Sequence, residues 1–283
     1  SVNEGAVDLD LPDKEDLWVV IAAVSSGWEN YRHQADALSQ YQLFRSRGID
    51  DDRIIMIGAD DIADNPANTL PGVVRNEPDG PDVRAGAVYD YSLNNLSADD
   101  LMDILSGERS DRTPTVLQST ETSNVYIYIV GHGGSDGVAV DAATAEDATV
   151  GSHAFSLITP DLLSKTVIKM HDNGMYRRML IMIEACHGGV MGKRVKSNGV
   201  LLMAAANPFE NSLGYGYDQT LEAWVADQFS WQLFRRIRQE ENRSLHDLYN
   251  ELYLNVSGSH VSLYNASRFG DVREIDVEEF LTR

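Results

Sequence analysis

Two side chains of this sequence could act together as a nucleophile and a proton carrier. Cys186 is the only cysteine, and it follows a short apolar run and precedes a pair of glycines. His132 has the same surroundings, since it follows the apolar run 125–130 and lies within Gly-His-Gly-Gly. A thiolate attacks carbonyl carbon atoms, and a neighbouring imidazole can take the thiol proton and pass it to a leaving group. The pattern therefore favours nucleophilic catalysis at Cys186.

Each apolar run is typical of a strand that is buried on both faces of a parallel sheet. The carboxyl ends of such strands line the crevice in which open α/β sheets bind their ligands. If the two strands are neighbours, His132 and Cys186 meet at one edge although 186 − 132 = 54 residues separate them. The alternative is a structural cysteine beside an unrelated histidine, because free cysteine is among the most buried residue types. The matching contexts favour the catalytic pair.

The other hydrophobic patterns predict alternating strands and helices. A strand at 17–24, an amphipathic helix at 29–47 and a strand at 53–58 form a βαβ unit with a parallel pair of strands. Further helices are expected at 97–105, 160–171, 220–239 and 244–253, and further strands at 199–206 and, at an edge, 259–264. The acidic segments 60–95 and 136–152 are interpreted as loops. This order predicts an α/β domain.

Composition limits the classes of function. The chain has 283 residues, 43% of them hydrophobic, so it can bury a large core. We divide it into an acidic arm, 1–16, and one domain, 17–283. The 44 acidic residues against 23 basic ones give a net charge of −21, which argues against binding nucleic acid or an anionic membrane through charge. We therefore expect neither a nucleic acid nor a membrane as a partner.

Several kinds of site are missing from the sequence. No apolar stretch reaches the length of a membrane span, and a single cysteine cannot form an intrachain disulfide. The sequence holds no His/Cys metal cluster, no phosphate-binding loop and no heptads, so we expect neither a metal nor a cofactor. We also expect a monomer.

Four N-x-S/T triplets permit glycosylation, and we expect a secreted, cell-envelope or endolysosomal protein rather than a cytoplasmic one.

Six sequence blocks resemble the legumain (asparaginyl endopeptidase) family and its relative, the catalytic subunit of the GPI-anchor transamidase. The blocks are 27–36 (GWENYRHQAD), 60–63 (DDIA), 131–134 (GHGG), 183–186 (IEAC), 205–208 (AANP) and 259–261 (SHV). They lie in order across the predicted domain. The resemblance implies a caspase-like α/β/α sandwich with a mostly parallel central sheet of about six strands. It also implies a cysteine endopeptidase that cleaves peptides or proteins after Asn, and less readily after Asp.

The resemblance assigns roles to individual residues. It makes Cys186 and His132 the catalytic pair. It places five residues in or around the pocket for the residue before the cleaved bond: Arg32, His33, Glu184, Ser212 and Asp218. Two positions depart from the family pattern. Ser26 stands where legumains usually have Asn, which leaves open the group that orients the histidine, and Gly131 stands where they have an acidic residue.

The donors and acceptors of the substrate explain this pocket. An asparagine side chain has a carbonyl acceptor and an NH2 donor, so a complementary site needs a cation on one side and carboxylates on the other. Arg32 with Glu184 and Asp218 supplies that set. A substrate aspartate would meet these carboxylates as a like charge, so we expect its cleavage only at acidic pH. Gly133 and the amide of Cys186 are the candidate donors to the oxyanion, because glycine lets a substrate approach the backbone closely.

Other interpretations stay open from the residues alone. Asp218 could cap the helix expected from residue 220, and Arg32 could be a solvated charge, whereas Glu184 within an apolar strand must be paired or functional. His187 is a competing base, but its side chain should point to the opposite face from Cys186 if the strand continues. An amine instead of water could resolve the thioester, as in a transpeptidase or ligase. An inactive binding module with the same fold is a further alternative.

Overall fold

The computed structural model describes residues 16–141, 155–239 and 242–281. Its strands and helices, in chain order, are β1 (Leu17–Ala23), α1 (Tyr31–Ser46), β2 (Ile54–Gly58), β3 (Tyr91–Ser92), α2 (Ala98–Leu105), β4 (Asn124–Val130), β5 (Gly133–Gly134), β6 (Gly137–Asp141), β7 (Phe155–Ile158), α3 (Pro160–Asp172), β8 (Arg178–Glu184), β9 (Val200–Ala204), β10 (Gly214–Asp218), β11 (Ala223–Asp227), α4 (Gln228–Ile237), α5 (Leu245–Asn255), β12 (Ser262–Tyr264), α6 (Ala266–Phe269) and α7 (Glu278–Leu281). Of the predicted arm 1–16, only Asp16 lies within the described residues.

A seven-stranded sheet forms the centre of the fold, in the order β12-β9-β8-β4-β1-β2-β3. Strand β12 is antiparallel to β9, and the other pairs are parallel. Strands β4 and β8 are neighbours along their whole length, with Asn124 opposite Arg178 and Val130 opposite Glu184. This confirms the mostly parallel sheet, which has seven strands instead of about six, and it confirms that the strands before His132 and Cys186 are adjacent.

Helices cover both faces of this sheet because its strands are apolar on both faces. Val19 and Ile21 of β1 belong to a core shared with α1, α4 and α5, whereas Val20 and Ala22 belong to a second core shared with α2 and α3. Successive residues of a strand point to opposite faces, so one strand contributes to both cores. The predicted caspase-like α/β/α sandwich is therefore confirmed.

Helix α1 presents several polar residues to the interior. It begins at Tyr31, after a short 3-10 turn at Trp28–Asn30, and Gly48 ends it with a φ of 84°, which suits glycine at the end of a helix. Its first turns pack against β1 and β11, so the side chains of Arg32, His33 and Asp36 lie near the strand ends. Among residues 16–141, 155–239 and 242–281, none of the helices combines the length and apolar character needed to cross a bilayer.

Two predicted elements are wrong. The first part of the helix expected at 220–239 is instead the turn and the second strand of the hairpin β10–β11, and helix α4 occupies only Gln228–Ile237. Tyr217 and Trp224 pair across this hairpin with their ring centroids 5.5 Å apart, and Glu222 has a φ of 51° in its turn, which a helix does not allow.

The second wrong element is the loop expected at 136–152. Residues Gly137–Asp141 form strand β6, which pairs with β5 and β7 in a separate three-stranded sheet. The rest of that predicted loop, 142–152, lies outside the described residues.

Candidate active site

The site forms where β4 and β8 end side by side. The Gly131 amide donates to the Glu184 carbonyl at 3.1 Å, which extends the parallel pairing by one residue past β4. Two residues later the backbones are still in contact, because a Cβ atom at Gly133 would lie 2.2 Å from the Cys186 carbonyl oxygen. His132 and Cys186 therefore leave neighbouring strands at corresponding positions, on the same edge of the sheet.

Asn30 holds the imidazole of His132. Its Oδ1 lies 2.6 Å from His132 Nε2, and its Nδ2 donates to the Ser26 carbonyl at 2.8 Å, which fixes the orientation of the amide. An amide oxygen only accepts hydrogen bonds, so Nε2 carries the proton of the neutral ring and Nδ1 has the free lone pair. Asn30 is thus the orienting group that the sequence left open, whereas the Ser26 amide donates to Asp141.

The surroundings of His132 favour its neutral form. Burial, and after it the charge of Arg32, lower the pKa of His132 below its ordinary value. The ring also makes an edge-on contact with that of His33, with the centroids 4.9 Å apart. A neutral imidazole with Nδ1 unprotonated can accept a proton from a thiol.

Cys186 lies half-buried as a free thiol beside a second loop. Its Sγ is 3.6 Å from the Ser212 carbonyl oxygen and 4.0 Å from the Ser212 hydroxyl. The structure therefore brings Ser212 to the predicted nucleophile. The Cys186 carbonyl leaves room for only a hydrogen atom on the Cα atom of Gly133. The amides of Gly133 and Cys186 therefore belong to closely spaced backbone segments.

His187 turns the chain away from the strand direction. It has a φ of 55°, and its Nδ1 lies 2.8 Å from the Pro208 carbonyl, to which only a protonated nitrogen can donate. Strand β8 already ends at Glu184, so the alternation of strand faces does not extend to His187 as the sequence argument assumed. The loop that contains Pro208 fixes the ring instead.

A charged cluster lies near the end of β8, under the first turns of α1. Arg32 Nε is 2.9 Å from Asp227 Oδ1, and a Cβ atom at Gly214, the residue paired with Asp227, would lie 3.5 Å from Arg32 Cδ. His33 is buried behind this ion pair, with Nδ1 2.7 Å from the Ser25 hydroxyl and Nε2 4.0 Å from Asp227 Oδ2. Burial is the main reason why the pKa of His33 falls to about 3.

Glu184 completes this cluster from the end of β8. It is 1% exposed, and its Oε1 accepts the backbone N–H and the hydroxyl of Ser230, both at 3.1 Å. Burial, and after it the charge of Asp227, raise the pKa of the Glu184 carboxyl well above its ordinary value. Arg32, His33 and Glu184 thus lie together in one cluster, and their role in binding a substrate stays a prediction.

A known protein family matches most of this chain. The Peptidase C13 family matches residues 17–280. The chain belongs to that family. Among its relatives, legumain of Rattus norvegicus is 34% identical over 270 residues and legumain of Homo sapiens 35% over 268, each covering 92% of this chain and 59% of the relative. The vacuolar-processing enzyme β-isozyme of Arabidopsis thaliana is 33% identical over 202 residues, which cover 70% of this chain and 39% of the relative.

The chain of this C13 family member therefore spans 59% of the length of the legumains that it matches. The six resembling blocks all lie within the matched residues 17–280, so the resemblance to the legumain family is confirmed.

Asp218 does not join the charged cluster around Arg32. It lies at the turn end of the β10–β11 hairpin, opposite Ala223, and is separated from Gly214 by about 14 Å of extended strand. Its Oδ1 accepts the amides of Thr220 and Leu221, and its Oδ2 lies 3.2 Å from Arg75 Nη1. Asp218 therefore closes a turn, as the capping interpretation proposed, although no helix begins there. Asp227 is the carboxylate beside Arg32.

Sequence reasoning gave no role to three residues that the structure places against the predicted site residues. Asn30 lies within the block 27–36, and its place in that block is the signal that could have found it. Asp227 was assigned to the interior of a helix, but it is a polar residue at the end of the apolar strand β11. Asp36, which is fully buried one turn after Arg32, received no role.

Three carboxyl groups of the described residues come close enough to hold a cation. Ligand oxygens of Asp36, Glu184 and Asp227 lie within 4.8 Å of one another, and all three residues are buried. The guanidinium of Arg32 already lies against Asp227, so a positive group is present at this cluster.

Proposed function

We propose that this chain is a legumain-like cysteine endopeptidase that hydrolyses peptide bonds after Asn. The observation that carries the proposal is the side-by-side course of the two strand-end loops, in which Gly133 has no room for a side chain beside Cys186. Membership of a peptidase family, and relatives named legumain, support a peptide or protein substrate. The fit of the pocket to an asparagine side chain supports the specificity.

In the proposed first step, His132 Nδ1 takes the proton of the Cys186 thiol and the sulfur attacks the carbonyl carbon of the scissile bond. The electron pair of the carbonyl moves to its oxygen, and the amides of Gly133 and Cys186 stabilise this oxyanion. When the tetrahedral intermediate collapses, the C–N bond breaks and the imidazolium donates its proton to the departing amine. Asn30 accepts from Nε2 throughout and keeps the ring in position.

In the proposed second step, water attacks the thioester and His132 takes one of its protons. The C–S bond then breaks, the acid product leaves, and the proton returns to the sulfur of Cys186. Neither step needs an oxidant, a metal or a further co-reactant.

The proposed pocket recognises an asparagine side chain by its two ends. Arg32 uses Nε for Asp227, and within the described residues its terminal nitrogens make no hydrogen bond, so they are donors for the substrate's side-chain oxygen. Asp227 and Glu184 supply acceptors for the substrate's NH2 group. A substrate aspartate brings a carboxylate to these carboxylates, so we propose that it is cleaved only under acidic conditions in which a proton is shared.

We also propose that the enzyme works in an acidic compartment such as an endolysosome or vacuole. The lowered pKa of His132 supports this, because the imidazole then remains unprotonated at a pH below its ordinary pKa. Some plant relatives are named vacuolar-processing enzymes, which agrees with this setting. A pH–rate profile with its maximum in the alkaline range would contradict the proposal.

The decisive experiment is a peptide-library cleavage profile measured across pH. Wild-type protein should cleave after Asn over the active range and after Asp only at its acidic end, and Cys186→Ala should cleave nothing. Cleavage by Cys186→Ala, or equal rates after Asn and Asp at neutral pH, would refute the proposal. An added amine nucleophile tests the ligase alternative, which predicts that the amine appears in the product.

A further inference from the structure

The buried carboxyl cluster at the base of the pocket holds more negative charge than its surroundings balance. Asp36 is 0% exposed, Glu184 1% and Asp227 3%, and they come from α1, β8 and the end of β11. Three ionised carboxylates beside the single guanidinium of Arg32 would leave a net charge of −2 in the interior. Burying unpaired charge is so costly that such groups take up a proton instead.

The hydrogen bonds of the cluster use one oxygen of each carboxyl group. Asp36 Oδ1 accepts from Asn76 Nδ2 at 3.0 Å and from the Asp227 amide at 3.3 Å. Glu184 Oε1 accepts twice from Ser230, and Asp227 Oδ1 accepts from Arg32.

The second oxygen of each of these three carboxyl groups is buried and has no hydrogen-bond partner among the described residues. Since carboxylate oxygens only accept, a proton on one of these oxygens would turn it into a donor for its neighbour.

Apart from Arg32, the groups that face the cluster carry no positive charge that could balance its carboxylates. His33, from α1, is neutral because burial lowers its pKa to about 3. Tyr128, from β4, has its hydroxyl at hydrogen-bond distance from that of Ser230, and burial raises its pKa well above the ordinary value. Asn76, from the segment before β3, and Ser230, from α4, are uncharged. Arg32 is thus the cation that the described residues place at the cluster.

We propose that Asp36 is a positioning residue of the specificity pocket, which holds Asp227 in place through a proton shared between their two unpartnered oxygens. This rests on the proposed function, because Asp227 then binds the substrate and Asp36 acts through it. Asp36 carries the proton rather than Asp227, since Asp227 already faces Arg32 and remains the anion of that ion pair. Burial, and after it the charge of Asp227, raise the pKa of Asp36.

The arrangement fixes Asp227 from two sides. Arg32 holds its Oδ1, and the Asp36 proton holds its Oδ2, so both oxygens have a defined direction toward the substrate. Loss of the proton at high pH places two carboxylates side by side, and their repulsion displaces Asp227. Glu184 Oε2 has no hydrogen-bond partner among the described residues, so it is available to the substrate in either case.

The substitution Asp36→Asn tests this role, because the amide has the same shape and its Nδ2 donates to Asp227 without titrating. In the wild type, KM for a peptide with Asn before the cleaved bond should rise with pH, by about tenfold per unit once the shared proton is lost, because only the protonated form binds. In Asp36→Asn, KM should stay constant over that range. Asp36→Leu, which has neither donor nor acceptor, should bind the peptide weakly at every pH. A KM of Asp36→Asn that rises like the wild type would overturn the proposal.

Infrared spectroscopy of the same proteins gives a readout that needs no catalysis. A protonated buried carboxyl has a carbonyl band distinct from that of a carboxylate, and wild type should show it at neutral pH. Asp36→Asn should weaken that band. Asp100→Asn is the matched control, because Asp100 is a buried aspartate whose pKa the bond from Arg112 lowers to about 2, so its loss should leave the band unchanged.

The two readouts separate the two ideas. If no peptide is cleaved but the band behaves as expected, the endopeptidase proposal fails and the shared proton stands. If the band is absent from wild type, or is unchanged in Asp36→Asn, the shared proton on Asp36 is refuted whether or not peptides are cleaved.

Discussion

A methyl group added at Gly133 tests the geometry on which the proposed chemistry depends. In Gly133→Ala the new Cβ atom would lie 2.2 Å from the Cys186 carbonyl oxygen and 3.0 Å from Ala185 Cβ. An ordinary contact begins at 3.4 Å, so one of the two loops must move by about 3.4 − 2.2 = 1.2 Å. The obstacle is backbone, which cannot rotate away as a flexible side chain can.

That displacement sets the size of the expected effect. A shift of about 1 Å in a catalytic group costs roughly 10²-fold in rate, which is about 2.7 kcal/mol of transition-state stabilisation. Gly133→Ala should therefore lower kcat/KM for an Asn peptide by about two orders of magnitude. The cost comes from misplacing the amides at the oxyanion and not from backbone strain, because Gly133 is not among the residues with positive φ.

Gly134 provides the matched control in the next position. A Cβ atom there meets nothing within 4 Å, and its φ is also not positive, so Gly134→Ala should change kcat/KM by less than about threefold. Both variants would be assayed for kcat/KM, for their melting temperature and for the rate of alkylation of Cys186, which is the only thiol. A folded Gly133→Ala protein as active as Gly134→Ala would refute the reasoning.

Three further predictions address the orienting group, the pocket and the buried histidine. Asn30→Ala should lower kcat by about 10- to 100-fold with little change in KM, because the His132 ring loses its anchor; an unchanged kcat would remove Asn30 from the mechanism. Asp227→Asn should raise KM for an Asn peptide at least about tenfold and Asp218→Asn should not, and the reverse order would return Asp218 to the pocket. The pKa of His33 is lowered to about 3 in the folded protein, so the contribution of His33 to the free energy of unfolding is complete above pH 6.5 and decreases by about 1.4 kcal/mol per pH unit down to about pH 3. Urea titrations of wild type and His33→Gln across this pH range should differ by this slope. Free energies of unfolding that change in parallel with pH would contradict the prediction.

The sheet could be predicted from sequence because its strands are buried on both faces. The runs that became β1, β4, β8 and β9 are almost wholly apolar, so neither their type nor their burial depended on long-range information. The short glycine-containing exits then placed His132 and Cys186 at one edge by topology alone.

The hairpin β10–β11 could not be predicted in the same way. Its strands have five residues each and show no regular alternation of buried and exposed positions, and residues 220–239 also satisfy a helical repeat of apolar positions. Only the pairing of Tyr217 with Trp224, which is a tertiary contact, decides between the two. Because of this error, Asp227 was placed within a predicted helix, and the pocket carboxylate remained Asp218, which the resemblance had implied.

The orienting amide shows a different limit. Asn30 and His132 lie 102 residues apart, and a hydrogen bond between two loops leaves no periodic trace in either. Position-by-position likeness to a family drew attention to Ser26, whereas the structure places Asn30, four residues later, against the ring. A side chain just before a helix can reach a strand end because the short 3-10 turn Trp28–Asn30 redirects the chain there.

Strands β4 and β8 lie in the middle of the seven-stranded sheet. The paired backbones of these two strands therefore set the distance between the Cys186 sulfur and the His132 imidazole. Pulling the pair apart would mean tearing a continuous ladder of backbone hydrogen bonds between Asn124–Val130 and Arg178–Glu184. If the proposed function holds, an inactive form is reached with the least free energy by covering the cleft, and inhibitors that block entry to the cleft should be more effective than those that aim to separate His132 from Cys186.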